Sequence, residues 1–481
     1  MFSSSSSSSG ADKLPMKPIP GSYGPPFIGA IADRRDFFYN LGREKFFTSK
    51  IEKYQSTVFR TNMPPGPFIA SDPRVVAVLD AVSFPILFDV SKVEKRDLFT
   101  GTYMPSTALT GGYRVCSYLD PSEPKHALIK RFLFSLLAAR HDKVLPLLKS
   151  SLSNIFLKLE QDISAKGEAD FNTISDNESF NFVFHYFCGV DPSETKIGSN
   201  GPKLIQNWLL AQLGPIVTLG LPKFLSLAED LLLHTFPFPP CLVKSAYNKV
   251  YNAVAGSATE ALDQAVRLGL QREEAAHNLV FVLGFNTFGG VKVMFPSIMK
   301  WVGLAGESLH KKLADEIRTV VKSDGGLTLG SLDKMTLTKS AVWEALRIEP
   351  PVPFQYAKAK EDLVVQSHDA RFEIKKGEMI FGYQPLATRD PKVFERADEF
   401  VADRFVGEEG ERLLKYVYWS NGRETEDPNT ENKQCAGKNL VVLLGRLLLV
   451  EFFLQYDTFT IEEKTPVLGP TIAFKSLTKA N

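Results

Sequence analysis

Cys435 stands in the run Asn432-Lys433-Gln434-Cys435-Ala436-Gly437-Lys438, directly ahead of an apolar stretch that reaches Phe453. A cysteine thiolate is a strong donor to a metal such as haem iron, where it pushes electron density onto the metal and favours O–O cleavage. Upstream lie Glu344-Ala345-Leu346-Arg347 and Phe400-Val401-Ala402-Asp403-Arg404-Phe405. Charged groups at i and i+3 share one face of a helix. Glu344 and Arg347 can therefore meet, and a bidentate network that also takes in Arg404 can lock the loop that holds the cysteine. Glu-x-x-Arg alone is a common surface pattern. Its order and distance relative to Arg404 and Cys435 make it informative.

The other cysteines, Cys116, Cys188 and Cys241, are scattered, and no CxxC pair occurs, so neither a zinc site nor a disulfide framework is indicated. A reducing compartment is expected, with these three read as buried apolar filler. Lys plus Arg number 56 and Asp plus Glu 55, a balance that gives no argument for nucleic acid as a partner. The 36 phenylalanines can line an apolar pocket or fill a large core, and core use is the commoner fate.

The elements that would position these groups follow from the pattern. Strands are expected over 57–60 and 67–70, around the turn Pro64-Pro65-Gly66. Residues 124–137 read as a helix with Ser122 as its N-cap. Helical patterns cover 260–268, 273–285, 291–302, 304–322 and 340–348, and 440–453 is a strongly apolar helix. Alternating pieces at 363–366 and 371–374, with Lys376-Gly377 as a turn, read as strands. The fold class is mainly α with a small β lobe.

Residues 15–481 are expected to form a single domain behind a disordered serine-rich segment, 1–14, in which residues 3–9 are all serine. That segment has no apolar core of a secretory signal. It is serine-rich and acid-poor like a plastid transit peptide, but short and without arginine. The longest uncharged run, 204–222, is near bilayer length. Asn207, Gln212, Gly214, Pro215, Gly220 and Pro222 break it into two buried or interfacial pieces. No transmembrane anchor is expected, contact with a membrane would be peripheral, and plastid and cytosol both stay open.

In this order Glu344, Arg347, Arg404 and Cys435 resemble the cytochrome P-450 superfamily, and the resemblance covers nearly the whole chain. It implies the cytochrome P-450 fold, a haem b with Cys435 as the axial ligand of its iron, and a Glu344–Arg347–Arg404 triad beneath it. Two departures stand out. The aromatic-x-x-Gly signature, Trp419-Ser420-Asn421-Gly422, is separated from Cys435 by a polar insertion, 423–431. The oxygen-activating helix matches Gly284-Phe285-Asn286-Thr287-Phe288-Gly289-Gly290-Val291-Lys292, which has no acid, whereas protonating reduced dioxygen needs a relay of titratable groups.

Both departures are features of one branch, the plant fatty-acid hydroperoxide-metabolising enzymes: allene oxide synthases, hydroperoxide lyases and divinyl ether synthases. The similarity is close from Ile19 to the end. It implies a fatty-acid hydroperoxide as substrate, which already contains the O–O bond, and no dioxygen, NADPH or redox partner. By the same resemblance Asn286 would hydrogen-bond the hydroperoxide and Lys292 would help to position the substrate. Phe99, in Asp97-Leu98-Phe99-Thr100-Gly101-Thr102-Tyr103-Met104-Pro105, would steer a carbon-centred radical through its π face. Leu98, Phe285, Phe288 and Tyr356 would be pocket walls. Lys95, His126, Lys130 and Lys433 would hold the haem propionates.

Phe99 resembles the allene oxide synthases within the branch, where lyases usually carry leucine. Divinyl ether synthase is the nearest rival and hydroperoxide lyase the next. Two other classes stay in view. A reductase-dependent monooxygenase is disfavoured by the missing acid and alcohol and by the missing anchor. A non-catalytic haem sensor is excluded by no feature of the sequence.

Overall fold

The computed structural model describes residues 14–465 and 470–480. The expectation for the serine-rich terminus therefore lies, but for Leu14, outside the described residues. Helices form most of the rest. One uninterrupted helical run threads the centre: an α-helix Arg272–Phe281, a π-helical stretch Val282–Phe288 and an α-helix Gly289–Ala305. Around it pack Phe171–Cys188, Thr336–Ile348 and Lys438–Gln455, whose side chains merge into one large apolar core. By length and composition the central run could cross a membrane, yet 56% of its most apolar window is buried inside the protein. Residues 204–222 form no continuous span: the helix Gly201–Leu213 ends in a short 3-10 turn, Gly214–Ile216.

A five-stranded sheet forms the β lobe, in the order Val58–Asn62, Arg74–Val78, Met379–Tyr383, Phe354–Ala359, Val93–Glu94. All neighbours are antiparallel except Arg74–Val78 with Met379–Tyr383. Leu363–Gln366 and Arg371–Ile374 pair antiparallel, as their alternation predicts.

Three of these expectations differ, and one element was not foreseen. Residues 67–70 are a turn closed by Ala70 N–H on the Gly66 carbonyl, and the partner of Val58–Asn62 is Arg74–Val78. Ser122 does not cap the helix Pro124–Ala139. Its hydroxyl is held by Asp120, and Glu123 takes the cap position before Pro124. The pattern at 304–322 is cut at Gly306, whose φ of +76° suits glycine and separates the central run from Glu307–Ser323. A C-terminal hairpin, Tyr456–Lys464 with Thr471–Lys479, has no counterpart in the sequence reading and joins Ala169–Asp170 in a three-stranded sheet.

Candidate active site

The helix Thr336–Ile348 is buried along almost its whole length, which places two charged side chains where water cannot reach. Glu344 and Arg347 are each fully buried and meet bidentately at 2.7 and 2.8 Å. Arg404 Nε closes the triad on Glu344 at 2.9 Å. Arg347 also donates to the carbonyls of Thr388 and Ala397, so every charge has partners. The network ties the helix to the chain around 388–404, the segment that leads to the cysteine loop.

That loop is fixed from both sides. Cys435 N–H donates to the Ser420 carbonyl at 2.8 Å, and the Gln434 amide donates to Ser420 Oγ and the Arg423 carbonyl. A Cβ on Gly422 would stand 2.8 Å from the Gln434 side chain and would push its amide off these two bonds.

The polar insertion does not loosen the loop. Glu424, buried within it, accepts from the indole nitrogens of both Trp343 (3.0 Å) and Trp419 (2.7 Å). Lys438, at the start of the cysteine helix, donates to the carbonyls of Glu424 and Glu426. The insertion is therefore pinned to the triad helix, to the aromatic signature and to the cysteine helix. Burial raises the carboxyl pKa of Glu424, and Lys438 opposes the shift. The sequence reading did not single out Glu424. Four acids, Glu424, Glu426, Asp427 and Glu431, stand between Trp419 and Lys438, and nothing local marks Glu424 among them.

Cys435 opens onto a cavity of about 430 Å³, well within the range of a small-molecule site. The same cavity is lined by Lys95, Phe99, His126, Lys130, Asn286, Lys292 and Lys433, together with Leu98, Phe285 and Tyr356. Phe288 is corrected: it is fully buried against Phe180, away from the cavity. The wide π turn shifts the helix face, so Phe285 and Asn286 line the cavity while Phe288 joins the core. The expected absence of an alcohol is also corrected. Thr287 follows Asn286 and lines the cavity. The acid alone is missing from this stretch.

Among the described residues the Asn286 amide has no hydrogen-bond partner, so it is not spent on repairing a helix break. Phe99 meets Tyr118, Phe281 and Phe285 edge-on at 5.2 to 6.0 Å between ring centres. Phe281 and Phe285 stack at 4.7 Å. A Cβ on Gly101, at φ +90°, would press on the Tyr356 ring at 2.9 Å, so the segment that carries Phe99 also depends on glycine.

Four basic side chains converge on this cavity. His126 and Lys130 come from one face of Pro124–Ala139, Lys95 from beside the sheet and Lys433 from the cysteine loop. Lys95, Lys130 and Lys433 have no carboxylate within ion-pair distance among the described residues. They rest on neutral oxygens: Lys95 on Asn421, Lys130 on the carbonyls of Asn429 and Asn432, Lys433 on those of Cys116 and Leu119. Burial pushes the Lys95 ammonium down to about 7, and the Lys433 charge adds to the shift. Burial likewise brings Lys130 and Lys433 to about 8. His126 falls to about 4, through burial and then the charges of Lys433 and Lys130.

Lysines so destabilised are poised to gain an anion. Cys435 is itself held up by burial, with Gly437 N–H and Lys130 pulling it down. Metal coordination deprotonates such a thiol outright. A thiol facing three unneutralised lysines across an apolar cavity fits a dianionic, thiolate-ligated haem.

Comparison with known proteins agrees with this geometry. A profile of the family described as Cytochrome P450 matches residues 307–466. The chain is 56% identical over 470 residues to "Allene oxide synthase 1, chloroplastic" of Solanum lycopersicum, covering 98% of this chain and 88% of that one. It is 56% identical over 473 residues to "Allene oxide synthase, chloroplastic" of Arabidopsis thaliana, covering 98% and 91%. With "Allene oxide synthase 2" of Oryza sativa subsp. japonica it shares 57% over 472 residues, 97% of each. The chain therefore belongs to the cytochrome P450 family, which carries a thiolate-ligated haem, in the branch that holds the plant allene oxide synthases.

Proposed function

We propose that this protein dehydrates fatty-acid hydroperoxides to allene oxides and water, without dioxygen or NADPH, as a step in oxylipin synthesis. The observation that carries the reading is the cavity: Cys435 on one wall, the unpartnered Asn286 amide on the central helix, and no carboxylate among the lining residues. The names of the relatives point the same way. Haem b, when bound, supplies the one-electron chemistry that splits the O–O bond and reclaims an electron afterwards.

The chain's own residues do the rest. Lys95, His126, Lys130 and Lys433 would hold the propionates of the haem, and Cys435 would supply its thiolate ligand. Asn286 orients the hydroperoxide, and Lys292 supplies a polar contact further along the same helix. The aromatic cluster of Phe99, Phe281 and Phe285 excludes water and faces the radical. Residues 15–481 act as one haem-thiolate unit in this reading. Anaerobic mixtures without NADPH should consume hydroperoxide at full rate, read as loss of conjugated-diene absorbance. A requirement for NADPH would overturn the proposal in favour of a monooxygenase.

Phe99 decides the fate of the radical rather than its formation. Phe99→Leu should keep substantial hydroperoxide consumption while product moves from allene-oxide-derived ketols toward short-chain aldehydes. A tenfold change in partition needs only about 1.4 kcal/mol of differential barrier, within reach of one aromatic contact. Mass spectrometry of the products checks this. An unchanged ratio would make Phe99 ordinary lining, and divinyl ethers from the wild type would move the protein to the rival synthase.

Contact with a membrane surface is supported by an exposed apolar patch. Phe224, Leu227, Leu231, Leu232 and Phe236 come from one side, and Phe27, Ile28 and Phe68 from the other. Buried Arg34 clips the two segments together through Asp230, the His234 carbonyl and the Pro65 carbonyl. The names of the tomato and Arabidopsis relatives favour the plastid over the cytosol.

A further inference from the structure

Lys292 differs from the other lysines of the cavity. Its ammonium is already ion-paired with Asp176, which projects from the neighbouring helix Phe171–Cys188. Asp176 is 7% exposed, and the Gln206 amide reaches the same carboxylate oxygen at 3.3 Å. Its second oxygen is buried without a partner. Burial raises the pKa of this carboxyl, and Lys292 opposes the shift. Lys292 lines the cavity beside Val293, which is 45% exposed, so the pair sits at the solvent end.

A substrate carboxylate that approached Lys292 would meet the Asp176 anion at close range, and like charges in one site destabilise each other. The contrast with Lys95, Lys130 and Lys433 is direct. Those three lack a carboxylate and suit an added anion, whereas Lys292 is already neutralised.

We propose that Asp176 is a specificity-determining residue that cancels the charge of Lys292, so that the pocket does not anchor the acid end of its substrate. The acid end stays in water at the cavity mouth, and fatty-acid hydroperoxides and their esters enter on nearly equal terms. This rests on the hydroperoxide reading above. It makes Asp176 a positioning residue that acts through Lys292.

The test compares kcat/KM for a hydroperoxy-octadecatrienoic acid and its methyl ester. In the wild-type haem-loaded protein the acid-to-ester ratio should lie near unity. Asp176→Asn unmasks Lys292 and should raise the ratio about fivefold, the effect of one partly solvated ion pair, through a lower KM for the acid. The double variant Asp176→Asn with Lys292→Met exchanges a neutral pair for a neutral pair and should return the ratio to the wild-type value.

A ratio unmoved by Asp176→Asn overturns the inference. So does a wild-type preference for the acid that collapses in the double variant, because that would make Lys292 an anchor. If Asp176→Asn alone fails to fold, the double variant decides by the same criterion. A wild type that consumes neither compound overturns the hydroperoxide reading together with this one, whereas the other failures leave that reading standing.

Discussion

Cys435→Ser abolishes hydroperoxide turnover and the thiolate signature in the spectrum of the haem-loaded protein. A serine hydroxyl does not ionise at neutral pH and cannot supply the electron donation that a thiolate gives to iron. The loop itself does not depend on the sulfur. Its backbone bond from residue 435 to the Ser420 carbonyl survives the change, as do the Gln434 contacts and the buried triad. The variant should therefore keep its far-ultraviolet circular dichroism and unfold cooperatively. A serine variant that retained both turnover and the thiolate spectrum would remove the basis of the functional reading.

Asn286→Ala should lower turnover by about 10²–10³, the effect of losing one well-aimed hydrogen bond in an active site. The loss should fall mainly on kcat, because the amide acts as the O–O bond breaks, and less on the KM set by the apolar walls. Stability should hardly change, since the amide has no partner within the protein to lose. Steady-state kinetics beside thermal unfolding separates the two effects. Wild-type turnover in Asn286→Ala would reduce the residue to lining.

Where the chemistry rests on local spacing, it could be read before the fold. Glu344 and Arg347 lie three residues apart on a helix, and their burial with Arg404 follows once that helix packs. His126 and Lys130, four apart, reach one cavity for the same reason. Alternation at 363–366 and 371–374 gave the two short strands with their observed bounds.

Where positions depend on long-range partners or on broken periodicity, the sequence was mute. The π stretch Val282–Phe288 inserts an irregular turn, so Phe288, a wall by the resemblance, packs into the core instead. Asp176 lies more than a hundred residues before Lys292, and only the packing of two helices makes them a pair. The insertion 423–431 reads as a polar interruption because Trp343, the partner of Glu424, stands 81 residues away. The hairpin Tyr456–Lys464 with Thr471–Lys479 has the alternation of a strand only in part, and its closest support, Ala169–Asp170, is remote in sequence.

The three lysines without carboxylates bear on how much of the protein persists in a cell. Burial depresses the protonation of all three, and the Lys433 charge depresses that of Lys95 further, so the folded chain carries a cost that a bound dianion relieves. A ligand that binds only the folded state stabilises it by RT ln(1 + [L]/Kd). Tetrapyrrole supply thus acts as a thermodynamic brake on unfolding and on proteolysis of the unfolded chain. The steady-state abundance of the protein is then expected to follow haem supply, through the charges proposed above to hold the cofactor.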